Sequence, residues 1–267
     1  MSKLILAIVP LSLLLGCVAE QSEPVALMSA PKPVIAPNPV IPRTTEPRLI
    51  GFGESVKGQP IVATVFNDGP RPVLILGGIH GDEQTSVDLT RNLIELLKRD
   101  VSLAGGKSVA IIQVANPDGY AANRRTNARG VDLNRNFPAS NYRTVLQTKS
   151  PKGRYGAAAA SEPETRALLR ALDTFNPRLI ISIHSISDRR ECNNYDGPAA
   201  DVAQKMSALN GYPPKDNIGY PTPGSMGTFC GIDRQIPMIT LELPKAGTGA
   251  DAWARNKDAL LAVIKSR

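Results

Sequence analysis

The sequence predicts an α/β protein, a three-layer α/β/α sandwich around a mixed, mostly parallel central sheet. Three observations predict it. Short apolar, β-branched runs recur along the chain and read as buried strands. Stretches of helical periodicity lie between them, and strands alternating with helices build α/β layers. Finally, three polar residues, His80, His184 and Glu242, each follow such a run. In α/β sheets, sites gather at the carboxyl ends of strands.

The elements follow in order. Residues 61–66 and 73–76 read as strands separated by the turn sequence Asn67-Asp-Gly69-Pro70. Gly77-Gly78 then lets the backbone pass close to a site. Residues 82–99 predict a helix, with apolar positions at Val87, Leu89, Leu93, Ile94, Leu96 and Leu97 and cations in the last turn. Residues 108–115 predict a strand ending at Asn116-Pro-Asp-Gly119. Residues 123–155 are polar and arginine-rich and read mainly as functional loop. A helix starts near Ser161, a suitable N-cap, with Pro163 in the tolerated first turn, and runs to about residue 175. Residues 178–183 predict a buried strand and 199–209 a helix. Residues 237–243 are the strand carrying Glu242, and 251–265 a closing amphipathic helix.

With 267 residues, 42% hydrophobic and 21% charged, the chain suits one globular domain plus an extra segment. The extra is N-terminal. Residues 1–16 carry Lys3 and then an apolar stretch too short to span a bilayer, and they read as a signal peptide. Leu14-Leu15-Gly16-Cys17 fits a bacterial lipobox, with lipid on the Cys17 sulfur. The plainer reading is a secretory signal with an incidental cysteine. Val18 is not the aspartate associated with inner-membrane retention, so the expected place is the periplasmic side of the outer membrane. Residues 17–47 are rich in proline and alanine and predict a semi-rigid tether. Residues 48–267 are the expected catalytic domain.

The net charge of +7 points to an anionic cell wall or an acidic peptide, or else to solubility alone. No nucleic-acid-binding motif is present. Once Cys17 is set aside, Cys192 and Cys230 remain. In an oxidising compartment an even remainder invites a disulfide, with two separate thiols as the alternative.

The two histidines are the only ones in the chain. His80 and Glu83 are spaced so that a strand end running into a turn can aim both at one ion, and the glycines around them favour a ligand turn. The alternative is a buried histidine beside an acid at a helix start. His184 completes a set of three protein ligands, which leaves a fourth zinc position for water. Its plainer role is a core histidine bonded by Ser182 or Ser185. Glu242 then serves as general base. Its plainer role is a buried acid paired with an arginine of residues 123–135.

His80-x-x-Glu83, Asn116-Pro-Asp-Gly119, Gly130-Val-Asp-Leu-Asn134-Arg135-Asn-Phe-Pro138, Ile183-His184-Ser185 and Leu241-Glu242 occur in the order found in carboxypeptidase A-like zinc peptidases. The chain resembles that family from about Leu49 onward. Arg125-Thr-Asn127-Ala-Arg-Gly-Val-Asp-Leu-Asn134-Arg135 and Gly219-Tyr-Pro-Thr-Pro-Gly-Ser225 resemble its murein peptide amidase branch, which cleaves γ-D-glutamyl-diaminopimelate bonds in cell-wall peptides. The resemblance implies one Zn²⁺ on His80, Glu83 and His184, with Glu242 as base. It implies Asn134 and Arg135 as the grip on a substrate carboxylate, a task suited to bidentate arginine. Arg125 matches the arginine that polarises the scissile carbonyl, with Arg124 as the alternative. Tyr220 matches a tyrosine on a substrate-covering loop. The loop after Ser225 has no acid to recognise an amine; Asp233, Glu191 and Asp188 are the candidates.

The expected function is therefore a zinc amidase or carboxypeptidase acting on a peptidoglycan-derived peptide. The alternatives are a carboxypeptidase on ordinary peptides, a small-amide deacylase and a non-catalytic wall-binding lipoprotein.

Overall fold

The computed structural model describes residues 46–143, 155–187 and 189–266. The signal peptide, Cys17, the tether up to residue 45 and Asp188 lie outside them. Among the described residues, eight strands form one sheet: β1 (Arg48–Glu54), β2 (Pro60–Phe66), β3 (Val73–Leu76), β4 (Val109–Ile112), β5 (Leu179–Ile186), β6 (Cys192–Asp196), β7 (Pro214–Lys215) and β8 (Met238–Pro244). Their order across the sheet is β1-β2-β4-β3-β5-β8-β6-β7.

The middle of the sheet, β4-β3-β5-β8, is parallel. Its strands are nearly unbroken apolar runs because both faces are covered. β2 and β1 extend one side antiparallel, and β6 joins the other side antiparallel to β8. The two-residue period of a strand sends alternate side chains to opposite layers. Val73, Ile75, Ile181, Ile183, Leu241 and Leu243 pack in one core with helices α1 (Gln84–Arg99), α4 (Ala200–Asn210) and α5 (Gly249–Ser266). Leu74, Leu76, Ile180 and Met238 pack in the other with helix α3 (Pro163–Phe175), Phe137 and Phe229. Each fully buried aliphatic side chain contributes about 1.5–3 kcal/mol. His184 and Glu242 belong to the even-numbered set, past the apolar rungs, at the carboxyl ends of β5 and β8.

Several elements differ from expectation. β1, with its two glycines and a bulge between Gly51 and Gly53, lacks a clear strand pattern. β6 reads Cys-Asn-Asn-Tyr-Asp and carries no apolar alternation. Asn193 on one of its faces is satisfied by Asn210 and Tyr212, and Asn210 in turn by Asn256. This buried amide ladder replaces the apolar contacts that hydropathy detects. Residues 116–119 enter a short helix, α2 (Pro117–Ala121), with Asn116 Oδ1 accepting from the Gly119 amide at 2.9 Å. α3 is capped at Glu162 rather than Ser161, with Pro163 in the first turn. Residues 227–233 form a π-type helix.

The cysteine pairing is corrected. Cys192 and Cys230 are both free and buried. Cys192 opens β6 opposite Glu242, whereas Cys230 is packed in the core with Phe137, Phe229 and Met238. Among the described residues, no helix is long and apolar enough to cross a membrane.

Candidate metal centre

His80 and Glu83 lie on the turn between β3 and α1. Gly78 adopts φ +63°, a left-handed conformation that glycine takes without strain. A Cβ at Gly81 would collide with the Gly119 backbone, so α2 presses directly on this turn. Ser86 Oγ accepts from the Gly78 amide and donates to the Glu83 carbonyl, locking the turn onto α1. Glu83 stands at the helix cap with its side chain free of capping duty. Thr85 Oγ1 bonds Ser185 Oγ at 2.9 Å and ties the start of α1 to the end of β5.

These constraints bring both histidines and Glu83 to one point. His80 Nδ1 lies 2.8 Å from Glu83 Oε1, and His184 Nδ1 lies 3.0 Å from Glu83 Oε2. The two Nδ1 atoms are 3.1 Å apart. The opposite nitrogens are committed elsewhere, His80 Nε2 to Asp132 Oδ1 at 3.0 Å and His184 Nε2 to Ser182 Oγ at 3.0 Å. Partners behind a ligand imidazole fix its tautomer and aim the other nitrogen at a metal. All three residues are buried, and one ligand atom from each falls within 4.8 Å of the others. Two imidazoles and a carboxylate are donors suited to zinc, with positions left open for reaction.

The electrostatics agree. Burial alone lowers the His80 pKa, but Glu83 and Asp132 raise it, to about 9. Burial raises Glu83 and Asp132, yet the histidines hold Glu83, and His80 and Arg125 hold Asp132, far below the usual carboxylate range. This cluster of buried anions is built to face positive charge. Glu242 differs. It is 6% exposed, and its carboxylate has no hydrogen bond or ion pair among the described residues. Burial raises its pKa. The arginine that a purely structural glutamate would need is engaged elsewhere: Arg125 donates from Nε to Asp132 at 2.9 Å and from Nη1 to Glu83 at 3.4 Å.

A cleft of about 120 Å³ opens over this centre. His80, Glu83, His184, Glu242, Arg125, Asn134, Arg135 and Tyr220 all line it. Arg124 does not. Asn134 and Arg135 lie in a tight turn capped by Asp132, and Asn134 Oδ1 accepts from the Met226 amide at 2.9 Å. Tyr220 is 46% exposed at the rim, with the Arg190 guanidinium 5.8 Å from its ring centre. The sequence named Ser182 only in the plainer reading of His184 and gave no role to Asp132; both stand behind the histidines. It gave none to Asn194 and Asp196, which reach the cleft from β6. Asp132 was within reach, since it sits inside the Gly130–Pro138 block.

Ligands fixed in this way, next to an unpaired acid at the carboxyl ends of parallel strands, define a zinc-dependent hydrolase of the peptidase type. The zinc carboxypeptidase family signature matches residues 43–251, and the chain belongs to that family. Murein peptide amidase A of Vibrio campbellii is 33% identical over 248 residues, spanning 85% of this chain and 92% of that protein. The Escherichia coli protein of the same name is 33% identical over 207 residues, 72% of this chain and 80% of its own length. Among solved structures, the murein-tripeptide amidase of Escherichia coli O157 superposes with a TM-score of 0.63 at 27% identity, covering 84% of this chain and 94% of that one. Bovine thrombin-activatable fibrinolysis inhibitor shares the fold, with a TM-score of 0.68 at 20% identity over 82% of this chain and 88% of the other.

Proposed function

We propose that the protein is a zinc-dependent amidase of murein stem peptides that cleaves the γ-D-glutamyl-diaminopimelate bond. One observation carries the chemistry: the buried, unpaired Glu242 stands in register with His184, in a cleft that Asn134 and Arg135 also line. The substrate class is supported by the murein peptide amidases that resemble the chain over more than two thirds of its length.

Zinc held by His80, Glu83 and His184 supplies a positive centre that acidifies water and polarises a carbonyl. Glu242 accepts a proton at its carboxylate and passes it to the leaving amine. Burial pushes its pKa up in the metal-free site, in keeping with a group that takes up a proton and gives it back. Arg125, clamped through Nε and Nη1, keeps Nη2 for the oxygen on which negative charge develops. Arg135 anchors one nitrogen on the Asn134 carbonyl at 2.7 Å and has donors left for the carboxylate of the leaving residue. Tyr220 covers the cleft mouth.

The same reading places the protein as an exported lipoprotein, anchored through Cys17 and facing the periplasm from the outer membrane, with residues 17–47 as tether to the catalytic domain at 48–267. The lipobox and the proline-rich composition support it. Labelling with radioactive palmitate should mark the wild-type protein and not Cys17→Ala; equal labelling would contradict the anchor.

The bond assignment is tested by incubating the zinc-loaded protein with L-Ala-γ-D-Glu-diaminopimelate and with its α-linked isomer, reading products by mass spectrometry. Free diaminopimelate from the γ-linked peptide is expected. No cleavage with zinc bound, or preference for the α-linked peptide, contradicts it.

A further inference from the structure

The chain enters the sheet at the end opposite the cleft. Arg48 opens β1, and the rungs Arg48–Val65, Phe66–Val109, Val73–Val109 and Val73–Leu179 place the entrances of β1, β4, β3 and β5 together. His184 and Glu242 lie toward the other end of the strands. A cation stands at each entrance: Arg48 on β1, Lys107 before β4, Arg71 before β3, Arg178 before β5 and Arg234 before β8. They follow the order of the strands across the sheet, so at about 4.8 Å per strand the row spans roughly 24 Å. Lys265, in the last turn of α5, reaches the same end, where it packs on Gly105.

Little acid offsets this row. Asp68 is taken by Arg48 at 2.8 Å, and Asp173 by Arg234 at 3.0 Å. Asp100 accepts from the amide and hydroxyl of Ser102. Arg71, Lys107 and Arg178, in the middle of the row, have no ion pair among the described residues. The two arginines bond only to neutral carbonyls: Arg71 Nε donates to Asn176, and Arg178 donates from Nη1 to Arg71 and from Nη2 to Ser108. Arg178 Nε is buried with no acceptor among the described residues. Burial, and then the charge of Arg71 beside it, lowers the Arg178 pKa. Like charges held together without an acid favour an anion nearby. Lys107 and Arg178 line one hollow of this surface, and Arg71 and Arg234 line the next.

We propose that this end of the catalytic domain is a docking surface for anionic phospholipid headgroups. The inference rests on the lipid anchor proposed at Cys17. The tether that follows Cys17 joins the catalytic domain at Arg48, the first cation of the row. Anchoring raises the local concentration of headgroups, so contacts too weak to recruit a free protein suffice. Each Lys or Arg near an anionic leaflet strengthens binding about fivefold. A wall polymer is the less suitable occupant, because murein peptides must reach the cleft at the opposite ends of the strands. Docking through this surface turns the cleft away from the membrane.

The test uses the chain from residue 18 onward, which has neither lipid nor leader. It keeps both cores, since these span Phe52 to Ile264. Cosedimentation at low salt compares vesicles of phosphatidylcholine alone with mixed phosphatidylcholine–phosphatidylglycerol vesicles. Binding to the anionic vesicles only is expected, weakening as salt is added. Arg71→Gln, Lys107→Gln and Arg178→Gln together should lower it about 100-fold, three steps of about fivefold. Lys107→Glu removes a side chain that makes no hydrogen bond among the described residues. It should lower binding about 25-fold and decides the question if the triple variant does not fold, as judged by zinc content and circular dichroism. Lys57→Gln, Arg189→Gln and Lys205→Gln together remove equal charge away from this end and should leave binding near wild type. Equal binding to both kinds of vesicle, or equal loss in the two triple variants, overturns the inference. Sedimentation with purified murein that the first triple variant loses, without vesicle binding, overturns it too and gives the surface to the wall. Palmitate labelling reads the anchor separately. Vesicle binding without labelling upholds the surface and rejects the anchor; labelling without vesicle binding does the reverse.

Discussion

Glu242 and His184 are cross-strand partners in the parallel ladder between β5 and β8, and they differ in one respect. His184 is bonded through both ring nitrogens, whereas neither oxygen of Glu242 has a partner among the described residues. A buried carboxylate without a partner is costly to keep ionised. The fold keeps it beside the His184 imidazole, where a cation held by His80, Glu83 and His184 would favour its ionised form, and that combination separates a proton-transfer group from a structural acid.

Asp132 joins two parts of the site, since one oxygen holds His80 and the other holds Arg125. Asp132→Ala should weaken zinc binding about 10- to 100-fold through loss of the support behind His80. It should also free Arg125, so at saturating zinc kcat/KM should still fall by on the order of 100-fold. Competition with a chelator gives the first quantity and steady-state kinetics the second. Full activity restored by excess zinc would show that Asp132 serves the metal alone.

The pH behaviour follows from His80. In the metal-free protein its pKa is raised from 6.5 to about 9, while a zinc ligand must be unprotonated. Zinc uptake at pH 7 should therefore release a proton, and affinity should rise by about tenfold per pH unit until pH nears 9. The stability sign is fixed by the same shift. A folded-state pKa above the unfolded one stabilises the metal-free protein fully below pH 6.5, and this contribution is lost as pH rises through about 9. Melting temperatures of metal-free protein between pH 6 and 10 should fall across that window, and zinc-loaded protein should not follow the same curve. A flat metal-free profile would contradict the His80 assignment.

What the sequence revealed and what it hid have physical causes. β3, β5 and β8 were legible because strands buried on both faces must be apolar throughout, and His184 and Glu242 stood out as polar residues ending such runs. β6 was hidden because one of its faces lines a polar cleft and the other is satisfied by the Asn193–Asn210–Asn256 ladder. With β6 hidden, Asn194 and Asp196 were hidden too. The loop after Ser225 was searched for an acid, but the acid facing Gly227 arrives from a neighbouring strand. Ser182 was legible only as a histidine partner, because a back-side contact leaves no mark in spacing.

The two deep cysteines give a check on the packing. Burial raises Cys192 to about 11 and Cys230 to about 12, so neither forms a reactive thiolate near neutral pH. Native protein should resist alkylation at both positions. Denatured, unreduced protein should be alkylated at both, as peptide mapping would show. A mapped peptide joining Cys192 to Cys230 would contradict the free thiols.

The central claim is that Glu242 moves the proton and does not hold the metal. The most direct measurement is turnover and zinc content of Glu242→Gln on the γ-linked tripeptide. The account predicts one zinc per chain, as in wild type, with kcat reduced about 100- to 10,000-fold, the range for loss of a general base. Turnover near the wild-type rate, or loss of zinc along with activity, would contradict it.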